Sequence, residues 1–96
     1  MLFALVCTDK PGAAELRSSN RPKHLAFLER HADQLVYAGP LIGEDGQTPA
    51  GSLIILDAPD QRAAECFAEQ DPYAEAGVFQ SVTIRPTKRV YPQING

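Results

Sequence analysis

Apolar residues follow two different rhythms along this chain, and the change of rhythm marks its elements. Leu2 to Cys7 is an unbroken apolar run closed by Thr8-Asp9-Lys10-Pro11-Gly12, the pattern of a buried strand running into a turn. From Ala13 the spacing lengthens. Leu16 comes first, then Leu25, Leu28, Ala32 and Leu35 at intervals of three, four and three, which predicts a helix with that stripe towards the core. Pro22 lies within it and has no backbone donor, so either the helix kinks there or a new one starts, capped by Ser19 or Asn20.

The stretches 35–42 and 51–57 read as two strands of a hairpin, joined by the turn-rich segment from Gly43 to Pro49. Asp57 is the expected cap of a second helix, with Pro59 and Asp60 in its first turn and Ala63, Ala64 and Phe67 on its apolar side. Asp71-Pro72 opens a shorter helix that Gly77 stops. A fourth strand then begins at Val78 and runs through Arg85-Pro86 towards Tyr91.

The order βαββαβ in 96 residues predicts one domain, residues 1–96, of the α+β class: a ferredoxin-like sandwich of four antiparallel strands with two helices on one face. Strands one and three are central in that topology. Pro40 and Pro86 fall in the expected edge strands, where a missing donor is tolerated, whereas the central strands as delimited here contain none. Both faces of the central strands are nevertheless apolar: Leu2, Ala4 and Val6 alternate with Phe3, Leu5 and Cys7, and Leu53 and Ile55 with Ile54 and Leu56. Two helices cover one face only. The other is expected to be covered by a second copy packed sheet to sheet, a homodimeric α+β barrel.

Composition narrows the function classes. A net charge of -3 with nine scattered Lys and Arg leaves no basic footprint for a phosphate backbone, which excludes nucleic acid as an expected partner. A sheet that reads RNA would also need exposed aromatics, and strands one and three offer only Phe3. The longest apolar run is far short of a membrane span, and no basic segment precedes it as in a signal peptide. A cytoplasmic location is expected, with no membrane partner. Cys7 and Cys66 are far apart and form no metal-ligand spacing, so both are read as reduced core residues.

Candidate chemistry is sparse. Arg17, Arg21 and His24 follow at intervals of four and three and share one side of a continuous helix. Histidine alone titrates near neutrality unperturbed, which makes His24 the candidate acid or base; equally, a histidine at the border of an apolar stripe packs against the core and meets a carbonyl. Asp71 is accounted for as a helix cap, or as the carboxylate that fixes the imidazole tautomer. Ser52 and Tyr73 offer hydroxyls. His31, near the end of the first helix, is expected to be solvated and favourable to the helix dipole.

Four blocks in this order and spacing resemble one known family, the YciI-like (YCII-related domain) proteins: Arg21-Pro22-x-His24, Ala38-Gly39-Pro40-Leu41, Gly51-Ser52-Leu53, and Asp71-Pro72-Tyr73 followed by Ala76-Gly77-Val78-Phe79. The resemblance implies a dimeric α+β barrel and a histidine and aspartate facing one cleft, here His24 and Asp71. It also implies kinship with muconolactone isomerase and with a dehydrochlorinase of chlorinated hydroxyquinols, which move protons without cofactors. The functional expectation is a cofactor-independent lyase, isomerase or hydrolase of a small anionic or phenolic metabolite, with no metal. His24 would move the proton, Asp71 would orient it, and Arg17, Arg21, Ser52 and Tyr73 would bind substrate. The alternative is a non-catalytic dimeric module that binds a small molecule or assists another enzyme.

Overall fold

The computed structural model describes residues 1–93. Its elements run β1 (Leu2–Asp9), α1 (Ala14–Arg30), a 3-10 turn (Ala32–Gln34), β2 (Leu35–Ile42), β3 (Pro49–Asp57), α2 (Gln61–Gln70), α3 (Pro72–Glu75) and β4 (Phe79–Thr87). The four strands form one antiparallel sheet in the order β2-β3-β1-β4, so β1 and β3 are central as the sequence implies. The central strands are not free of proline, however. Pro49 opens β3, opposite Ile42, and the first residue of a strand is a place where the lost donor does least harm.

Alternation sorts the sheet into two unlike faces. Phe3, Leu5, Ile54 and Leu56 lie under the helices and pack with Phe27, Ala58, Ala64 and Phe67 into the main core. The register Ala4↔Ile55 and Val6↔Leu53 puts those four side chains on the open face, flanked on β4 by Arg85 and Thr83. At the start of β4 the register slips: Thr8 pairs Ser81 and Asp9 pairs Phe79, leaving Gln80 as the extra residue of a bulge. That slip lets the Phe79 ring meet Tyr73 edge-on, beside a second cluster of Ala13, Tyr73 and Val78.

Four local expectations need correction. The buried face of α1 is Arg17, His24 and Phe27, while Leu16 and Leu25 stay exposed; the aromatic at position 27, absent from the leucine stripe, anchors the helix instead. Neither Ser19 nor Asn20 restarts the helix. It runs through Pro22 unbroken, and both side chains donate back to the Leu16 carbonyl. Asp60 rather than Asp57 caps α2, accepting from the Ala63 amide, while Asp57 holds the N-terminal ammonium at 2.9 Å. His31 is half-buried, not solvated: its Nδ1 meets the Phe27 carbonyl at 2.9 Å, and its ring packs on Phe27 and edge-on to Phe67.

Candidate active site

Arg17 and His24 are seven residues apart, two turns of α1, which sets them on one face about 10.5 Å apart along the axis. Tyr73 fills the space between them. Its ring is stacked on the His24 imidazole, with centroids 4.0 Å apart and planes 14° from parallel, and the Arg17 guanidinium carbon lies 4.4 Å from the same ring's centre. Two planar groups that close cannot share one face of a phenyl ring, so Tyr73 is held between them. The guanidinium meets the ring's electron-rich face, a favourable cation–π arrangement.

Each end of this stack is fixed by a carboxylate. Arg17 grips Asp9 through Nε and Nη2, at 2.7 and 3.2 Å, and Nη2 also donates to Ser52 Oγ at 2.7 Å. The Asp9 and Arg17 side chains are 6% and 8% exposed, so the pair is nearly dry. At the other end, His24 Nδ1 lies 2.9 Å from Asp71 Oδ1, and Asp71 is 1% exposed. The Tyr73 amide donates to that same oxygen, also at 2.9 Å. Asp71 Oδ1 is therefore an acceptor already, and the hydrogen between it and the imidazole belongs to Nδ1. Nε2 is left as the ring nitrogen able to give or take a proton. The two explanations of Asp71 thus do not compete: one oxygen caps α3 and orients His24.

Burial also governs the neighbouring acids. Desolvation pushes the Cys7 thiol up to about 12, helped by the negative charge of Asp71, so it stays protonated and inert beneath the site. The Tyr73 phenol is raised as well, chiefly by burial, with Arg17 and Arg21 pulling the other way.

These groups line a cleft of about 420 Å³ between α1 and the β2–β3 hairpin. Arg17, Arg21, His24, Ser52 and Tyr73 all reach it, together with Ser18 and Thr48. Asp71 stands behind His24 rather than in the wall. Of the two arginines, Arg17 is committed to Asp9, Ser52 and Tyr73, whereas Arg21 is exposed and makes no ion pair among the described residues. Asp9 escaped the sequence reading because it stands in a stretch that reads as a turn, Thr8-Asp9-Lys10-Pro11-Gly12. Its odd-numbered place beyond Phe3, Leu5 and Cys7 was the available signal. No group of three or more His, Cys, Asp or Glu among the described residues is placed to hold a metal ion.

The chain is thus a ferredoxin-like α+β protein with a histidine and a carboxylate paired beside a cleft of about 420 Å³. The chain belongs to the YCII-related family, whose domain it matches over residues 1–88. It is 37% identical over 98 positions to protein YciI of Escherichia coli O6:H1, covering 95% of this chain and all of that one. An uncharacterized protein of Haemophilus influenzae is 35% identical over the same span. Among solved structures it resembles the 5-chloro-2-hydroxyhydroquinone dehydrochlorinase of Burkholderia phenoliruptrix AC1100 in complex with 2,5-dihydroxybenzoquinone. That pair has a TM-score of 0.84 and 32% identity, covering 92% of this chain and 94% of that one. An antibiotic biosynthesis monooxygenase, at 14% identity and a TM-score of 0.55, shares the fold alone; it covers 94% of this chain and 99% of that one.

Proposed function

We propose that this protein is a cofactor-independent enzyme of the lyase, isomerase or hydrolase type, acting on a small phenolic or enolic anion. His24 Nε2 takes a proton from an acidic O–H or C–H of the substrate and returns it to another atom or to a leaving group. Asp71 holds the tautomer that leaves Nε2 free, and stabilises the imidazolium that forms on proton uptake. Arg21 attracts the anion at the mouth of the cleft. Ser52 and Arg17 form the floor, and Tyr73 keeps the imidazole plane fixed. The observation that carries this reading is the buried 2.9 Å contact between His24 Nδ1 and Asp71 Oδ1 beside an open cleft. A dehydrochlorinase of similar fold that binds a dihydroxybenzoquinone supports the substrate class.

The working unit is a homodimer formed through the open sheet face, because Ala4, Val6, Leu53 and Ile55 make an apolar band that water does not favour. A thermal-shift screen of phenolic and anionic metabolites identifies ligands, since a molecule that binds only the folded state raises its stability with concentration. For a ligand so found, turnover falls by about 10²–10⁴-fold in His24→Ala if the imidazole is the acid or base. Binding without turnover in the parent protein establishes the alternative, a non-catalytic binding or accessory module.

A further inference from the structure

The cleft is chemically lopsided. Charged and hydroxyl-bearing groups, Arg17, Ser18, Arg21, Ser52 and Tyr73, crowd the side of α1 before His24, but one residue and one turn after it the wall becomes Leu25 and Leu28, faced across the gap by Ala38, Gly39 and Pro40 of β2. Leu25, Leu28 and Ala38 are also walls of a second groove of about 430 Å³, which lies between α1 and β2 beside Ala32, Leu35 and Val36. Leu25 is 44% exposed and lines both cavities, so its side chain is turned to the groove rather than to the core. Glu29 is the only charged residue on that groove's wall among the described residues.

From these observations we propose an apolar subsite, formed by Leu25, Leu28 and Ala38, that binds an uncharged hydrocarbon substituent of the substrate. This rests on the reading of His24 as the centre that receives the phenolic or enolic head. With the head at His24 and Arg21, a substituent pointing along α1 lies against Leu25, Leu28 and Ala38, the three side chains that line both cavities. A single hydroxylated ring uses only the polar end, and a cleft of this volume falls in the range that takes larger molecules. Glu29 sets a sign on the far end: a second anionic group there meets a carboxylate and is turned away. The substrate class is therefore a phenolic or enolic head bearing a neutral alkyl or aryl arm, rather than a dicarboxylate.

The test is a calorimetric binding series with catechol and its 4-methyl, 4-ethyl, 4-propyl and 4-butyl derivatives, on the intact protein. Each added methylene buried in the subsite tightens binding by about two- to fourfold, the upper figure being full transfer from water. Leu25→Asn, at a position outside the main core, flattens the series while leaving catechol itself bound with its dependence on His24. A flat series in the parent protein, with catechol still bound and that binding lost in His24→Ala, overturns the subsite and leaves the functional reading standing. An increment that persists undiminished in Leu25→Asn also overturns it, since the arm then rests on another apolar surface. So does a change of oligomeric mass in that variant, which assigns the groove to a second copy of the chain. Failure of every member to bind at millimolar concentration removes the phenolic reading, and the subsite with it.

Discussion

The two faces of the sheet break the usual partition of residues in opposite ways. Under the helices, where apolar side chains belong, lie Arg17, His24, Ser52 and Asp71, all buried and all hydrogen-bonded. On the open face, where polar side chains belong, lie Ala4, Val6, Leu53 and Ile55. Burying charge costs several kcal/mol per ion before pairing returns it, so a cluster of this kind is weak as a source of stability. Exposed apolar area is equally unfavourable in isolation. The proposed chemistry in the cleft would account for the first irregularity and the proposed dimer for the second, and the two are separable because the sheet lies between them.

The largest test of that separation is Asp9→Ala. It strips the counter-charge from a guanidinium that stays buried, and a loss of about 3–5 kcal/mol of folding stability is expected, read by urea denaturation. Arg17→Met in the same background removes the orphaned charge and restores part of the loss; no restoration would mean that packing against Tyr73, rather than charge, sets the cost. Next comes Leu53→Asp. The parent protein is expected to scatter light as a dimer at micromolar concentration and the variant as a folded monomer, because a carboxylate in an apolar interface is strongly unfavourable. A parent protein that is monomeric, with the band uncovered, breaks the comparison at its second limb.

Asp71→Asn has a smaller and more local effect. The amide still accepts a bond from the Tyr73 amide, so α3 survives, but the charge beside His24 is gone. The imidazole ring resonances followed by NMR change for His24 and stay put for His31, whose partner is the Phe27 carbonyl. An unchanged His24 reduces Asp71 to a cap. The slightest effect is expected at the hairpin that carries Thr48 and Pro49 to the rim of the cleft. Hydrogen bonds from the Thr48 hydroxyl and from the Thr48 and Gln47 amides lower the Asp45 carboxyl from 3.8 to about 2. A depressed folded value stabilises the loop above the unfolded value and loses that contribution as pH falls through about 2. The Gln47 and Thr48 amide resonances should therefore shift with a midpoint near pH 2 and be flat above about pH 4.

The strand order and the helix-to-sheet layering were legible because alternation and turn residues are local. The apolar runs at 2–7 and 51–57 and the Asp-Pro and Gly punctuation marks each depend on a few neighbours in sequence. The α1 stripe misled for the opposite reason. A run of leucines at helical spacing says which side is apolar, not what that side faces, and here Leu25 lines a groove while Phe27 takes the core. His24 and Asp71 were legible as candidates through the family's motif blocks. What residue types could not give was their meeting across 47 positions, the stack on Tyr73, or the commitment of Arg17 to Asp9. These depend on how α1 docks on α3 and on the end of β1. Sequence weighed the two arginines alike, and only the partners around Arg17 separate a cation committed to Asp9 and Ser52 from one with no ion pair among the described residues.

A single atom, Asp71 Oδ1, receives both the amide that starts α3 and the imidazole of His24. Four residues are far too few to hold a helix by themselves, so α3 exists only while its ends are tied down. Local order and the alignment of the His24 imidazole are consequently one equilibrium rather than two. A molecule whose α3 has frayed loses the carboxylate contact that orients the imidazole, and a ligand that steadies His24 slows the opening of that turn. Protection of the Tyr73 amide against hydrogen exchange is in that sense a gauge of how much of the population holds the site assembled at any moment.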